Sequence, residues 1–385
     1  MSKDYPYPIA RIGLIGGGQL GRMLVRAAKQ LGCTTTVLDP VPDSPAGQIA
    51  THQIVAGYHD AEKIRELAQV SDVLTFELEN IDADTLAQLE LQGHAVHPSA
   101  AVLKTVQDKL TQKQCLLDNG IPTSRFAPVE SPGERQFAEF GYPLVQKARR
   151  GGYDGRGVSI MRSAADFGQH LPVPSLIEEF VDAEKEIAVL VARSTRGQVV
   201  TYPAVEMCFR AGENVLDLLL APADIPPHIQ ARAKEVAVQT VQALAGVGIF
   251  GVEMFVRRDG EILVNEIAPR THNSGHHTIE ANVTDQFEQH LRAILGLPLG
   301  STEALSPAAM VNLLGAPNEQ GRPVLRGLEE VLAIPGVCLH LYGKAVTAPF
   351  RKMGHITILD HDIASARAKA NQVRNTIEIG AEKEQ

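Results

Sequence analysis

Hydrophobic and polar positions change period along this chain, and the changes divide it. In the first hundred residues short apolar runs (ARIGLIG, TTTVLD, DVLTFE, HAVHPS) alternate with amphipathic stretches that predict helices over Gln19 to Leu31, Ala61 to Gln69 and Ala83 to Leu91. Strand and helix in strict turn indicate a parallel, doubly wound sheet. Leu103 to Asn119 reads as one polar helix, closed by the glycine and proline of NGIP. Beyond it PLVQKA, GVSIMR, SLIEEFV, EIAVLVARS and VVTYPAVEM read as strands joined by turns in antiparallel style. A long helix near Pro227 to Ala245 then precedes the hairpin GVEMFVRRDGEILVNEI. After Gly300 come short strands (VNLLGAP, CLHLYGK, GHITILD) and a closing helix near Ile363 to Thr376. The expected fold class is mixed, α/β and α+β. A Rossmann-like unit covers 1–107, a central unit 108–300 with a subdomain at about 123–185, and a small β-rich domain 301–385.

Composition narrows the function. The 385 residues carry 36 Lys and Arg against 45 Asp and Glu, a formal net charge of −9, which argues against a general nucleic-acid or membrane-surface binder. Any anion site is therefore local. Cys33, Cys115, Cys208 and Cys338 show no paired spacing, which suggests neither a disulfide framework nor a zinc ribbon and fits a reducing cytoplasm. The opening MSKDYPYPIA has no apolar signal core, and the most apolar stretch, Ala243 to Val256, is too short and interrupted to span a bilayer.

Gly16, Gly18 and Gly21 fit G-x-G-x-x-G between a strand and a helix, with Asp39 ending the next strand. Three readings stay open: a dinucleotide, the phosphate of another substrate held by the free N–H groups of the helix start, or a tight turn alone. Glu77 and Glu79 of TFELEN point the same way at the same edge. Glu77 there meets a ribose or an amine, or is a solvated strand end.

A second glycine loop, KARRGGYDGRG at 147–157, lies between two strands and lacks the Lys-Ser/Thr ending of a phosphate-binding Walker loop. It is either a cover for polyphosphate, with Arg149, Arg150 and Arg156 on it and Lys147 behind, or a solvated turn. A two-residue Asp259-Gly260 turn sets Arg258 opposite Glu261 and, counted back, Glu253 opposite Glu266. At about 5 Å and an effective dielectric of about 20 the two carboxylates repel by roughly 3 kcal/mol. On that face only Arg257 stands near enough to offset this, so a divalent cation, magnesium by its taste for hard oxygens, is the expected occupant. A one-residue slip would instead turn Asn265 inward. SLIEEFVDAEKEIAVL offers a free strand edge near Glu179 and Val181 for a purine, with Glu186 for ribose hydroxyls, or is a plain acidic strand end. APRTHNSGHH gathers Arg270, His272, Asn273, His276 and His277, a set better suited to anions than to zinc.

In this order the features resemble the ATP-grasp superfamily. GGGQLGRM, QDKLTQKQ, GGYDGRG, NEIAPRTHNSGH and RKMGH more narrowly resemble the N5-carboxyaminoimidazole ribonucleotide synthetase family, nearly end to end. The resemblance implies ATP- and bicarbonate-dependent carboxylation of 5-aminoimidazole ribonucleotide, by a homodimer using Mg²⁺. It implies ATP contacts from Lys109, Lys147, the lid Gly152, Tyr153, Asp154, Gly155, Arg156, Gly157 and Val158, the hinge Glu178, Glu179, Phe180 and Val181, and also Glu186, Glu206, Asn265 and Glu266. Magnesium falls to Glu253 and Glu266. Substrate binding falls to Gly18, Gln19, Leu20, Glu77, Tyr153, Arg156, Lys344, Arg351 and Lys352, and catalysis to Asp154, Arg270, His272 and Asn273. Lys109 and Glu206 stand where some relatives carry arginine and histidine. The rivals are another ATP-grasp ligase, such as a formate-using glycinamide ribonucleotide transformylase, an NAD-dependent oxidoreductase, and a non-enzymatic nucleotide sensor.

Overall fold

A computed structural model describes residues 4–152, 157–209 and 216–382. The front unit is the expected parallel sheet in the order β3-β2-β1-β4, from β1 (Arg11–Ile15), β2 (Thr34–Asp39), β3 (His52–Val55) and β4 (Val73–Phe76). Helices α1 (Gln19–Gln30), α2 (Ala61–Gln69) and α3 (Ala83–Leu91) cover it. HAVHPS contributes only an isolated bridge, Leu74 to Val96, and β3 escaped the sequence pattern because its four residues alternate without a strong apolar face.

The polar helix expected over 103–119 is two helices, α4 (Ala100–Gln107) and α5 (Lys109–Asp118). Asp108 breaks them: its carboxylate accepts the N–H groups of Leu110 and Thr111, a cap that starts a new helix on a new axis. A small antiparallel sheet follows in the order β5-β8-β6-β7, from β5 (Phe126–Val129), β6 (Leu144–Ala148), β7 (Val158–Met161) and β8 (Ser175–Glu179), with α6 (Glu134–Phe140) packed on it.

The large sheet is antiparallel and runs β14-β13-β9-β11-β12-β15-β18-β17, with β10 (Val199–Thr201) beside β9. Its strands are β9 (Ala183–Arg193), β11 (Val205–Phe209), β12 (Leu216–Ala221), β13 (Gly248–Arg257), β14 (Ile262–Ala268), β15 (Ala308–Leu314), β17 (Val337–Leu341) and β18 (Lys352–Leu359). The C-terminal strands therefore continue the central sheet through the β12 to β15 pairing, while β16 (Pro323–Arg326) and β19 (Glu378–Ala381) form a separate ribbon. Helix α7 (Pro227–Ala243) buries Val236 and Val241 against Ile187 and Val252 on one face, and α11 (Ile363–Thr376) extends that layer over Leu218 and Ile356. The opposite face meets the front unit through α8 (Thr278–Ala281) and α9 (Gln286–Ile294), where Phe287 and Leu291 pack with residues of α1. Among the described residues no helix is long and apolar enough to cross a membrane.

Candidate active site

A cleft of about 950 Å³ opens where the front unit, the small sheet and the large sheet converge. Its floor is the β13–β14 hairpin. The sequence expectation of Glu253 opposite Glu266 holds, but by another route. The turn has three residues, Arg258 to Gly260, with Gly260 at φ 86° and its N–H donating to the Arg257 carbonyl at 2.9 Å. Pairing therefore runs Val256 to Ile262 and Met254 to Val264, one step off the two-residue register, until a bulge at Asn265 restores Glu253 to Glu266. Arg258 accordingly reaches Asp182 (3.4 Å), and it is Arg257 that meets Glu261 (3.0 Å).

The cation that offsets the carboxylates is also different. Arg257 is drawn off to Glu179 at 2.9 Å, whereas Lys109, at the start of α5, bonds directly to Glu266. Burial tends to raise the Glu266 carboxyl, but Lys109 outweighs it and holds Glu266 low. Glu253, with a side chain only 21% exposed, has no such partner. Burial, then the charges of Glu266 and Glu186, push it up to about 8. His272 Nε2 lies 3.4 Å from its Oε1.

Behind the floor a second group of charges fixes α5 to the small sheet. Glu178 is 3% exposed and sits between Lys113 Nζ (3.1 Å) and Lys147 Nζ (3.2 Å). Burial would raise it, but the two lysines and the Ser124 hydroxyl (2.8 Å) bring it down to about 2. Burial lowers Lys113 to about 8 despite Glu178. Lys147 also donates to Asn265 Oδ1 at 2.9 Å, so the bulge residue positions it. Lys113 was not singled out from the sequence; its signal was the Lys109-x-x-x-Lys113 spacing, which puts both lysines on one helix face.

Past β14 the chain turns under the front unit. Arg270 Nε pairs with Glu79 Oε1 at 2.8 Å, and His272 Nδ1 bonds the Ser274 hydroxyl at 2.8 Å. Asn273 lines the cleft with both amide atoms buried and bonded to no group among the described residues. Such an amide costs free energy unless a ligand satisfies it.

At the first glycine loop the helix start meets an acid of the chain itself. Gly18 N–H donates to Glu77 Oε1, and Gly21 N–H to Glu77 Oε2 at 2.6 Å, so the start of α1 already carries a carboxylate. Asp39 accepts Gly17 N–H (2.7 Å), Val41 N–H (2.8 Å) and the Tyr58 hydroxyl (2.7 Å). A dinucleotide thus finds neither an open phosphate cradle nor an unengaged ribose acid, and a ribonucleotide phosphate finds the Gly18 N–H taken.

Of the other expected residues, Gln19, Leu20, Gly152 and Val158 line the cleft, as does Lys352 from the far strand β18. Lys344 and Arg351 lie outside its lining and donate to the carbonyls of Lys352 (2.6 Å) and Val346 (2.7 Å). Arg149 and Arg150 line the cleft as well, and the Arg149 guanidinium also forks onto Asp108 at 2.7 Å and pins the start of α5. Glu186 stands opposite Phe255 on the cleft face of the sheet. Glu206 does not: it pairs across from Ile187 and Leu220, both in the core on the opposite face, and binds Lys185 at 2.8 Å. An ATP contact from Glu206 is therefore withdrawn. In the hinge the Glu178 side chain is committed to lysines, and the edge expected near Glu179 and Val181 is already partly paired: β8 lies between β5 and β6, the N–H groups of Glu179 and Phe180 donate to the carbonyls of Arg125 (2.9 Å) and Pro143 (3.2 Å), and the Val181 carbonyl accepts from Ala183 (2.9 Å). Tyr153, Asp154, Gly155 and Arg156 lie outside the described residues, between Gly152 and Gly157.

Comparison with known proteins bears directly on this arrangement. The ribonucleotide synthetase preATP-grasp domain matches residues 9–107, the ATP-grasp domain 114–287, and the phosphoribosylaminoimidazole carboxylase C-terminal domain 308–369. The N5-carboxyaminoimidazole ribonucleotide synthase of Synechococcus elongatus is 43% identical over 378 residues, 96% of this chain and 94% of that one. The chain belongs to the N5-carboxyaminoimidazole ribonucleotide synthase family. Among solved members, the Thermotoga maritima synthetase superposes with a TM-score of 0.91 at 51% identity, over 97% of this chain and all (100%) of that one. The Aspergillus clavatus synthase solved with ADP and 5-aminoimidazole ribonucleotide gives 0.87 at 34% identity, over 95% of this chain and 98% of the other. The family's three domain types run in order through this fold.

Proposed function

We propose that this chain carboxylates the exocyclic amine of 5-aminoimidazole ribonucleotide, using ATP and bicarbonate and giving N5-carboxyaminoimidazole ribonucleotide, ADP and phosphate, a step of purine biosynthesis. One observation carries the reading: a facing carboxylate pair, flanked by Lys109, lies in the same cleft as the unsatisfied amide of Asn273 and the Arg270 guanidinium. Family membership supports it, and the resemblance also favours a homodimer in the cytoplasm.

The donors fit magnesium. Glu253 and Glu266 are hard oxygen ligands, and Glu253 resists ionising without a cation beside it. Among the described residues no three His, Cys, Asp or Glu side chains form a metal-holding group. When bound, Mg²⁺ would neutralise charge on the β- and γ-phosphates.

The residues of the chain do the rest by placement and charge. Lys147 and Lys109 face the phosphates from behind and beside the hairpin, and the Glu179 to Val181 backbone receives the purine, with Glu186 for its ribose. Arg270, His272 and Asn273 hold bicarbonate. A bicarbonate oxygen attacks the γ-phosphorus and the bond to the β-phosphate oxygen breaks, giving ADP and carboxyphosphate. The amine nitrogen then attacks the carboxyl carbon, directly or after carbon dioxide is released in place; the C–O bond to phosphate breaks, phosphate leaves and the nitrogen loses a proton. Glu77 faces the amine, and Lys352 takes the ribonucleotide phosphate. In this reading His272, 3.4 Å from Glu253, accepts the proton.

The test is ADP release measured with each substrate omitted in turn, together with thermal stabilisation by MgADP and by NADH. The proposal requires aminoimidazole- and bicarbonate-dependent turnover and stabilisation by MgADP; stabilisation by NADH alone would overturn it.

A further inference from the structure

Four glutamines, each at most 2% exposed, share an arrangement. In each the side-chain amide takes both backbone groups of one distant residue, its Oε1 accepting the N–H and its Nε2 donating to the C=O. Gln112 of α5 does so to Ile267 (3.2 and 3.5 Å) and Gln286 of α9 to His272 (2.8 and 2.7 Å). Gln146 of β6 does so to Leu171 (2.8 and 3.0 Å) and Gln289 of α9 to Gly300 (2.8 and 2.9 Å). A carboxamide is the side chain that supplies one donor and one acceptor side by side, so each glutamine acts as a one-residue strand partner for backbone groups that no strand on that side pairs.

Two of these clamps bracket the chemistry. Ile267 follows Glu266 on β14, the terminal strand of the large sheet, and Gln112 closes its outer edge. His272 lies where the strand has ended, and Gln286 fixes both sides of its peptide one residue before Asn273. Between the clamps runs the segment carrying Arg270; outside them lie Glu266 and Asn273. We propose that Gln112 and Gln286 are positioning residues, which hold the 266–273 segment so that Glu266, Arg270, His272 and Asn273 converge on one reacting group. They touch no substrate and act through Ile267 and His272. This rests on the function proposed above.

Gln289 supplies the control, being the same clamp on the same helix but holding Gly300, which lies outside the lining of the cleft. The variants are Gln286→Glu, Gln112→Glu and Gln289→Glu, which keep shape and lose the donor. The wild type must first show bicarbonate- and aminoimidazole-dependent ADP formation; if it does not, the functional reading fails and not the clamp. Given that activity, Gln286→Glu is expected to lower kcat about ten- to a hundredfold, as for a displacement near 1 Å, with KM for ATP unchanged. Gln289→Glu lowers Tm to a similar extent and leaves kcat within about twofold. A protonated carboxyl again has one donor and one acceptor, so the activity of Gln286→Glu relative to wild type rises as pH falls. His276, whose Nδ1 is 3.5 Å from Gln286 Nε2, is held well below the ordinary imidazole value by burial and is neutral in the wild type. Should Gln286→Glu fail to fold, Gln112→Glu carries the same prediction. Equal kcat loss in Gln286→Glu and Gln289→Glu, or a pH-independent ratio, overturns the proposal.

Discussion

Glu253 gives the account its most quantitative test, because a cation can use that carboxylate only after its proton has left. Burial and the charges of Glu266 and Glu186 set the group at about 8 in the ligand-free protein. At pH 7 it is then about nine-tenths protonated and at pH 9 about one-tenth, so binding of preformed MgADP should release about 0.9 and about 0.1 of a proton respectively from this site. Between pH 9 and pH 7 affinity falls about tenfold in all, or about 1.4 kcal/mol, and only further below 8 does the slope approach tenfold per pH unit. Calorimetry in two buffers of different ionisation enthalpy counts the protons, and the same titration on Glu253→Gln subtracts every other group. The reasoning is refuted if the wild type releases no more protons at pH 7 than Glu253→Gln does. The same shift fixes a sign for stability. A carboxyl raised in the folded state favours folding below its ordinary value of about 4.5, and that contribution is lost as pH rises towards 8. The ligand-free protein should accordingly lose stability at this site between those values and recover it with MgADP.

Lys113→Met leaves Glu178 in the interior with Lys147 (3.2 Å) and the Ser124 hydroxyl (2.8 Å) as its remaining partners, so urea unfolding should show a loss of about 1.5–3 kcal/mol, below the cost of a wholly unpaired buried charge. Because Glu178 is held down to about 2, its contribution is complete above about 4.5 and is lost as pH falls, so the gap between variant and wild type should close in acid. Gly251→Ala would put a Cβ 2.8 Å from His272 Cβ and Cγ; turnover should fall with nucleotide affinity intact, at about 1–3 kcal/mol of stability, and an unchanged kcat would contradict the placement of His272. Asn273→Ala removes two polar atoms that have no partner among the described residues, so Tm should hold or rise while kcat/KM for bicarbonate drops about ten- to a hundredfold. A fall in Tm with unchanged kinetics would show the amide to be structural.

The segments legible from sequence were those governed by local period and caps: the parallel front sheet, α7, α11 and the strands of the β13–β14 hairpin. What the sequence hid was mostly decided by partners far along the chain. The Glu253 to Glu266 pairing came from a count that missed a three-residue turn and a bulge, two one-residue deviations that cancel. Asp108 looked like one more polar residue of a continuous helix until Arg149, from another sheet, came to share its carboxylate. Glycine spacing indicated an anion at α1, but not that the anion is Glu77, because spacing is blind to which acid a later strand brings in. Glu206 was an expectation of the resemblance alone, and only the pairing of β11 with β9 and β12 shows that it stands on the core face, away from the cleft. The glutamine clamps leave no periodic mark at all.

The central claim is that ATP activates bicarbonate within this cleft for transfer to an amine. Its most direct test is turnover with bicarbonate labelled in all its oxygens with the heavy isotope, read by phosphorus NMR of the phosphate released. The account predicts one labelled oxygen in each phosphate, formed in step with product, and none of this turnover from Glu266→Ala. Unlabelled phosphate at full turnover would contradict it.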